Sequence, residues 1–178
     1  MSSLRLALLT AEHDVSSFDC GNDQLTSWLI RHAHASQRAD LARTFVALEG
    51  EHVVGYLSLT TGSVRRDEAP KRYARGMPAH PIPTILIARL AVDRRHQGQQ
   101  LGSRLLAEAL RLAVTASDAA AARLVVVDAI DERAETFYRK RGFIDVPDNP
   151  LRLYRKISDI RRSLDAPPPA TRSRRSSS

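Results

Sequence analysis

Apolar residues recur with two different periods along this chain, and the two periods predict different elements. Short apolar or alternating runs indicate strands at positions 4–9, 43–48, 52–61, 85–92, 123–127, 143–146 and 151–154. Apolar residues three or four apart indicate helices at about 22–37, 101–113, 132–141 and 157–164. Elements in this order predict an α+β fold, with a mixed and mostly antiparallel sheet of six to seven strands flanked by about four helices.

The segment Ile85–Ser103 carries the candidate chemistry. An almost unbroken apolar strand up to Val92 leads through a charged turn, and through a loop with Gly98 and Gly102, into an amphipathic helix. A helix that begins there has unpaired backbone N–H groups and the positive end of its dipole, which together suit an anion such as a pyrophosphate. An ordinary strand-to-helix connection explains the loop as well, because a short glycine loop is a weak motif.

Length and composition indicate one folded domain that needs neither a metal nor a disulfide. The chain has 178 residues, of which 43% are hydrophobic, and this is enough for a core. We expect the domain to span 4–164, and the Pro-, Ser- and Arg-rich positions 165–178 to form a disordered tail. The single cysteine, Cys20, cannot form an internal disulfide, which favours the reducing cytoplasm. The sequence has no cluster of metal ligands and no apolar segment of membrane-spanning length.

The charge balance predicts an anionic partner. The 27 Lys and Arg residues outnumber the 20 Asp and Glu residues, so the formal net charge is +7. Such a balance favours nucleic acid, a phosphorylated cofactor or an acidic protein as partner. Surface solvation alone would also account for it.

Several motifs in register resemble the GCN5-related N-acetyltransferases, the GNAT superfamily. The loop reads RHQGQQLG at 95–102, and it is followed by a VVV strand and by a helix with FY before GF. A narrower likeness is to the toxin branch of that superfamily. It comprises FDCGNDQLTSWL at 18–29, RT at 43–44, VGY at 54–56 and ARLAVD at 88–93.

The resemblance implies both a fold and a function. It implies the GNAT fold, acetyl-coenzyme A (acetyl-CoA) as donor, the α-amino group of aminoacyl-tRNA as acceptor, and a block of translation. It also implies pairing with a ribbon–helix–helix antitoxin, and dimers are common in this family. Two alternatives stay open: an acetyltransferase for a small amine or a protein N-terminus, and a non-catalytic partner of a DNA-binding protein.

The resemblance further implies where the cofactor lies. The pantetheine arm would pair with backbone groups of β-strand residues as though it were another strand, and the pyrophosphate would lie on the following loop. The strand residues are Leu90, Ala91 and Val92, and the loop residues are Gln97, Gly98, Gln99, Gln100, Leu101, Gly102 and the N–H of Ser103.

Gln100 stands where the family pattern has Gly or Ala. If the loop requires a positive φ there, the side chain would crowd the phosphates. If Gln100 has helical φ and ψ, only its N–H is used and the amide points outward. We favour the second arrangement, because helix N-termini bind anions through backbone groups alone.

Tyr138 is the candidate catalytic residue, since it matches the family's tyrosine, and a phenol near the sulfur can protonate the departing thiolate. Neighbouring helical residues point about 100° apart, so Phe137 and Tyr138 cannot both fill one core face, although both could be core aromatics. No general base is evident, and Asp128 and Asp131 are only possible polar partners. An α-amino group, with a pKa of about 7.7–8.0, needs little help from a base, which favours an α-amine as acceptor.

Cations in three regions are candidates for phosphate contacts with the tRNA, which fix position without reading sequence. The Pro-rich stretch 65–83 is predicted to be a loop, or a short helix plus loop. It is either a solvated connection or a basic rim beside the active cleft. The candidates are Arg65, Arg66, Lys71, Arg72, Arg75, Arg89, Arg94, Arg95, Arg139, Lys140 and Arg141.

Overall fold

The structure, a computed structural model, describes residues 4–167 of the chain. The strands are β1 (Arg5–Leu8), β2 (Arg43–Glu49), β3 (His52–Val64), β4 (Ile82–Val92), β5 (Leu124–Asp128), β6 (Ile144–Val146) and β7 (Asn149–Lys156). The helices are α1 (Asp23–Arg31), α2 (Ala33–Arg38), α3 (Lys71–Ala74), α4 (Leu101–Ala119), α5 (Glu132–Arg139) and α6 (Ile157–Asp165). The predicted tail lies outside the described residues from position 168 onward.

The seven strands form one sheet in the order β1-β2-β3-β4-β5-β7-β6. Every neighbouring pair is antiparallel except β4 and β5, which are parallel. This confirms the predicted α+β class and the mixed, mostly antiparallel sheet. The parallel pair requires a crossover connection, and α4 supplies it.

The parallel pair separates part of the way along its length. β4 pairs with β5 only from Thr84–Leu124 to Ile87–Val127, although β4 runs on to Val92. On its other side β4 stays paired with β3 as far as Val92, with a register shift at Ala88. A bulge of this kind bends a strand and increases its twist. The edge of β4 that faces β5 is therefore open beyond Ile87.

Helices cover both faces of the sheet, and the apolar residues of β3 divide between the two faces. Val54 and Leu57 point toward the cluster that contains α4, α5 and α6. Val53 and Tyr56 point toward α1 and α2. Both faces of β3 are thus buried, which explains its almost continuous apolar sequence.

Two details of the helices differ from the sequence prediction. The described residues contain six α-helices, not about four, because the helix predicted at 22–37 divides into α1 and α2 and the segment 65–81 contains the short α3. The helix predicted to run to about Gln37 breaks at His32. The break lets the Gln37 side chain donate to the Leu9 carbonyl at 2.6 Å and accept from the Thr44 N–H at 2.9 Å. Within 4–167, no helix is long and apolar enough to cross a membrane.

Candidate active site

A cleft of about 720 Å³ lies beside the unpaired part of β4. Four segments line it: the turn at 20–22 before α1, the end of β4, the loop leading into α4, and one side of α5 with its flanks. The residues predicted to bind the cofactor line this cleft, with the exception of Gln99. They are Leu90, Ala91, Val92, Gln97, Gly98, Gln100, Leu101, Gly102 and Ser103.

The loop between β4 and α4 is closed by two left-handed residues. Gly98 has φ 78° and Gln100 has φ 61° with ψ 14°. The arrangement that we favoured from sequence, with Gln100 in helical φ and ψ, is therefore wrong. Gln100 is the N-cap of α4, yet its side chain makes no capping hydrogen bond. A left-handed conformation costs a non-glycine residue roughly 1–2 kcal/mol, so the loop closure imposes it on Gln100.

The first turn of α4 offers donors to the cleft. The N–H groups of Leu101, Gly102 and Ser103 precede the first intrahelical bond, which runs from the Arg104 N–H to the Gln100 carbonyl at 3.2 Å. α4 is 19 residues long and has no acidic residue in its first turn, so its positive end is not offset from within. A Cβ at Gly102 would fill the space between Phe137 and Val92, at 3.7 and 3.9 Å. The loop therefore fits a diphosphate held by backbone donors.

Asp93 fixes the loop to the end of β4. Its side chain is fully buried and accepts hydrogen bonds from the Arg95 N–H at 3.0 Å, the Arg95 guanidinium at 2.9 and 3.1 Å, and the Asp19 N–H at 3.2 Å. Burial alone would raise the pKa of Asp93, but these donors outweigh it and lower the pKa to about 2. From sequence, Asp93 stands out only as the last residue of the ARLAVD motif, and no role was predicted for it.

Gln97 joins the two walls of the cleft. Its side-chain amide donates to the Cys20 carbonyl at 2.9 Å and to the Val92 carbonyl at 3.0 Å. The Val92 carbonyl is thus already used. Ala91 lies opposite Tyr56, two residues before Asp93, whose N–H donates to the Val54 carbonyl at 2.9 Å, so the backbone groups of Ala91 face β3. The Leu90 backbone and the Val92 N–H therefore face the open edge. The turn at Cys20 was part of the quoted motif, but its place in the cleft wall could not be read from sequence.

Tyr138 lies where β4 and β5 separate. It lines the large cleft and also a smaller cavity of about 70 Å³ beside Ile87 and Val127. The residue is 6% exposed, and its ring makes edge contacts with Phe137 and Phe143 at centroid distances of 5.2 and 5.6 Å. Its hydroxyl has no hydrogen-bond partner among the described residues. Burial raises the pKa of Tyr138 to about 12, so the phenol keeps its proton at neutral pH.

Arg89 lines the smaller cavity and is held on the ring of Trp28. The Arg89 guanidinium carbon lies 4.0 Å from the centroid of the Trp28 ring, and Trp28 stacks on Tyr56 at 6.1 Å. Within the described chain Arg89 has no carboxylate partner, and burial lowers its pKa. A partly desolvated arginine held on an aromatic ring is a strong binder of anions. Trp28 was quoted only as a motif residue, so this pairing was missed.

Four of the other predicted RNA-contacting cations are held by carboxylates. Arg94 pairs with Asp19, Arg95 with Asp93, Arg139 with Glu135 and Asp145, and Arg65 with Asp67. Lys140 is exposed and follows α5. Arg141 lines the large cleft instead of the outer surface.

The loop 65–81 does not form a rim beside the cofactor loop. It joins Val64 to Ile82, which pair at the start of β4, whereas the cofactor loop follows Val92. Ten residues of extended strand separate the two ends by roughly 30 Å. The basic loop nevertheless lines a separate cavity of about 910 Å³ with Arg65, Arg66, Lys71 and Arg75, while Arg72 lies over the Tyr73 ring at 5.2 Å.

Neither of the two aspartates considered from sequence is free to act as a general base. Asp128 accepts a bidentate pair from Arg152 at 2.7 and 2.9 Å. Asp131 caps α5 by accepting from the Ala134 N–H at 2.8 Å. Their roles are structural, and residues 4–167 contain no cluster of three or more His, Cys, Asp or Glu that could hold a metal ion.

Comparisons with known proteins agree with this geometry. The chain is 40% identical over 148 residues to the tRNA-acetylating toxin of Mycobacterium tuberculosis, which covers 83% of this chain and 89% of the relative. It is also similar to the structure of AtaT complexed with acetyl-methionyl-tRNAfMet, with 31% identity, a TM-score of 0.84, and coverage of 91% of this chain and 99% of AtaT. A Tyr→Phe mutant of AtaT bound to acetyl-CoA and the C-terminus of its antitoxin AtaR matches with 30% identity and a TM-score of 0.79. That match covers 92% of this chain and 99% of the mutant.

The family model of the GNAT acetyltransferases matches residues 8–143, which include every element from α1 to α5. The match therefore contains the open edge of β4, the loop into α4 and Tyr138. With this family comes the chemistry of the cleft, an acetyl transfer from acetyl-CoA. The chain is an acetyltransferase and belongs to the GNAT family.

Proposed function

We propose that this enzyme transfers an acetyl group from acetyl-CoA to the α-amino group of aminoacyl-tRNA, and so blocks translation as the toxin of a toxin–antitoxin pair. One observation carries the proposal: three groups lie together where β4 and β5 separate. They are the loop before α4, the buried phenol of Tyr138, and Arg89, which has no carboxylate partner among the described residues. The 40% identity to a tRNA-acetylating toxin supports it.

Two kinds of backbone contact would hold the cofactor. The backbone groups of Leu90 and the Val92 N–H would hold the pantetheine arm at the open edge of β4. The N–H groups of Leu101, Gly102 and Ser103 would hold the diphosphate. The cofactor supplies an activated acetyl group as a thioester.

Tyr138 would act as the general acid. The neutral α-amine forms a C–N bond to the acetyl carbon, the C–S bond breaks, and the Tyr138 hydroxyl gives its proton to the departing sulfur. The amine's surplus proton leaves to water, and the phenolate takes up a proton in turn. With a pKa of about 12, the phenol is protonated at the start of every cycle. An α-amine with a pKa of about 7.7–8.0 is partly neutral at pH 7, so the mechanism needs no dedicated base.

The acceptor would enter from the side of the smaller cavity, where Arg89 lies over the Trp28 ring. There Arg89 would contact a phosphate near the 3′ end of the tRNA, which brings the aminoacyl group toward Tyr138. More distant phosphates would contact the cations that have no carboxylate partner in the described part of the chain. Among the cations predicted to contact RNA, these are Arg66, Lys71, Arg72, Arg75 and Lys140.

The same proposal extends to the partners. The antitoxin of the AtaT structure is held through its C-terminus, and we propose an antitoxin of the ribbon–helix–helix type and a homodimeric toxin for this chain. An acceptor drawn from translation places the enzyme in the cytoplasm. Size measurement of the purified protein, with and without the product of a neighbouring reading frame, tests both partners.

The test of the activity uses labelled acetyl-CoA and bulk tRNA in three states: charged, deacylated, and charged with an already acetylated α-amine. We expect label only on the first, and we expect mild base to release it as N-acetyl amino acid. Label on small amines or peptide N-termini, with none on charged tRNA, would contradict the proposal in favour of a general amine acetyltransferase. Absence of transfer to any amine would leave the non-catalytic alternative.

A further inference from the structure

Arg141 occupies a position that its place in the sequence did not suggest. The sequence groups it with Arg139 and Lys140 as one basic run, but the structure turns it into the cofactor cleft. Its guanidinium lies 3.8 Å from the centroid of the Phe137 ring and donates to the Phe137 carbonyl at 2.8 Å. It also donates to the Ser103 hydroxyl at 2.5 Å, across 38 residues of sequence. Arg141 therefore bridges the end of α5 and the first turn of α4.

The charges at this bridge are unbalanced. The carboxyl end of α5 is negative and holds the guanidinium favourably through the Phe137 carbonyl. The other side of the guanidinium faces the positive end of α4, which has no acidic residue in its first turn. Within residues 4–167 no carboxylate pairs with Arg141. Two positive groups thus converge on one point of the cleft, and an anion between them would relieve the repulsion.

The guanidinium also has donors to spare. An arginine has five N–H groups, and the two recorded bonds use two of them. Stacking on Phe137 and the bond to Ser103 fix the plane of the group, so little side-chain freedom remains to be lost on binding. A planar, pre-positioned fork of this kind matches a phosphate group.

We propose that Arg141 is a cofactor-binding residue that contacts a phosphate of coenzyme A together with the backbone donors of the α4 N-terminus, and is not an RNA contact. Arg139, two residues earlier, is neutralised by Glu135 and Asp145, and Lys140 does not line the cleft. The three neighbouring cations therefore have three different roles. This inference rests on acetyl-CoA as cofactor and not on tRNA as acceptor, so cofactor binding alone tests it.

The test is calorimetric titration of the full chain and of two variants, Arg141→Gln and Lys140→Gln. Each variant removes one positive charge from the same end of α5. The ligands are coenzyme A, dephospho-coenzyme A, which lacks the 3′-phosphate, and pantetheine, which has the arm but no phosphate. We expect Arg141→Gln to weaken coenzyme A binding by about 10- to 100-fold, as for the loss of a hydrogen bond to a charged group. Lys140→Gln should stay within about twofold of the parent chain.

The three ligands identify the phosphate. A loss confined to coenzyme A assigns Arg141 to the 3′-phosphate, and an equal loss for dephospho-coenzyme A assigns it to the diphosphate; either result supports the proposal. Unchanged affinity for both nucleotides would overturn it. An equal loss for pantetheine would also overturn it, because it would mean that the variant only distorts the cleft. Should Arg141→Gln fail to fold, Arg141→Lys keeps the charge but not the fork, and an intermediate nucleotide affinity with unchanged pantetheine affinity is then expected.

Discussion

Replacing Tyr138 with Phe separates catalysis from folding in this enzyme. The substitution removes one oxygen and leaves the ring between Phe137 and Phe143. Because the hydroxyl has no hydrogen-bond partner in the described chain, no buried group loses its partner. We expect the free energy of unfolding to change by less than about 0.5 kcal/mol, and the melting temperature therefore by less than about 2 °C.

The rate should fall steeply all the same. A positioned general acid contributes about 10²–10⁴ in rate, which corresponds to about 3–5 kcal/mol of the barrier. Burial raises the pKa of Tyr138 to about 12, so its proton is retained from pH 6 to 9 and is not lost on the alkaline side of this range. The parent enzyme should therefore gain activity with rising pH as the acceptor α-amine loses its proton, with no decline attributable to Tyr138. The cofactor dissociation constant should be the same in both proteins.

Release of free coenzyme A thiol, measured at saturating acetyl-CoA and charged tRNA, gives kcat for the variant and the parent. Tyr154→Phe is the matched control, because the Tyr154 hydroxyl lies outside the cleft and donates to the Glu68 carbonyl at 3.2 Å. The control should lose about 1 kcal/mol of stability and keep its kcat. A kcat for Tyr138→Phe within twofold of the parent would refute the assignment, and so would a fall in melting temperature that accounts for the lost activity.

Three further variants test other parts of the site. Because the Asp93 pKa is lowered from 3.8 to about 2, its ionised form stabilises the fold above pH 4, and this stability is lost as the pH falls toward 2. We expect Asp93 to contribute about 2 kcal/mol to the change in the free energy of unfolding between pH 2 and 7, measured by urea unfolding of the parent. The Asp93→Asn variant should lack this contribution. Gln100→Gly relieves the left-handed strain but frees the unfolded chain, so stability should rise by at most about 1 kcal/mol in thermal unfolding. Its coenzyme A affinity should be equal or tighter, and a large loss would mean that the glutamine side chain itself binds. Arg89→Gln should raise KM for charged tRNA about tenfold and make this KM less dependent on salt concentration, while cofactor affinity stays the same. The control is Arg111→Gln, on the exposed side of α4, which should leave both KM and its salt dependence unchanged.

The sequence predicted the elements well because their signals are local. Asn22 is of a residue type that favours helix caps, and it accepts from the Leu25 N–H at 3.0 Å. Glycine is typical just after a helix, and Gly142 has φ 89° just beyond α5. The loop after Val92 and Tyr138 were correctly brought to one cleft, because strand order and helix order in this family determine where they meet.

The errors concern properties that depend on distant residues. The conformation of Gln100 is imposed by closing the loop between β4 and α4, and nothing at 100 itself signals a left-handed residue. The place that each arginine side chain takes depends on partners far along the chain. Arg94 pairs with Asp19, and Arg141 donates to Ser103. A run of cations reads as one patch in sequence, although folding directs its members to different surfaces.

Because β4 and β5 separate early, the sheet has an unpaired strand edge in its middle as well as at its two margins. Only four residue pairs, from Thr84–Leu124 to Ile87–Val127, join the two halves of the sheet between β4 and β5. An exposed edge normally invites strands from other proteins. Here residues of α4 and α5 line the space beside the edge, so a strand that paired with it would have to lie between the two helices. A chain that carries amide groups but no side chains needs the least room in that position.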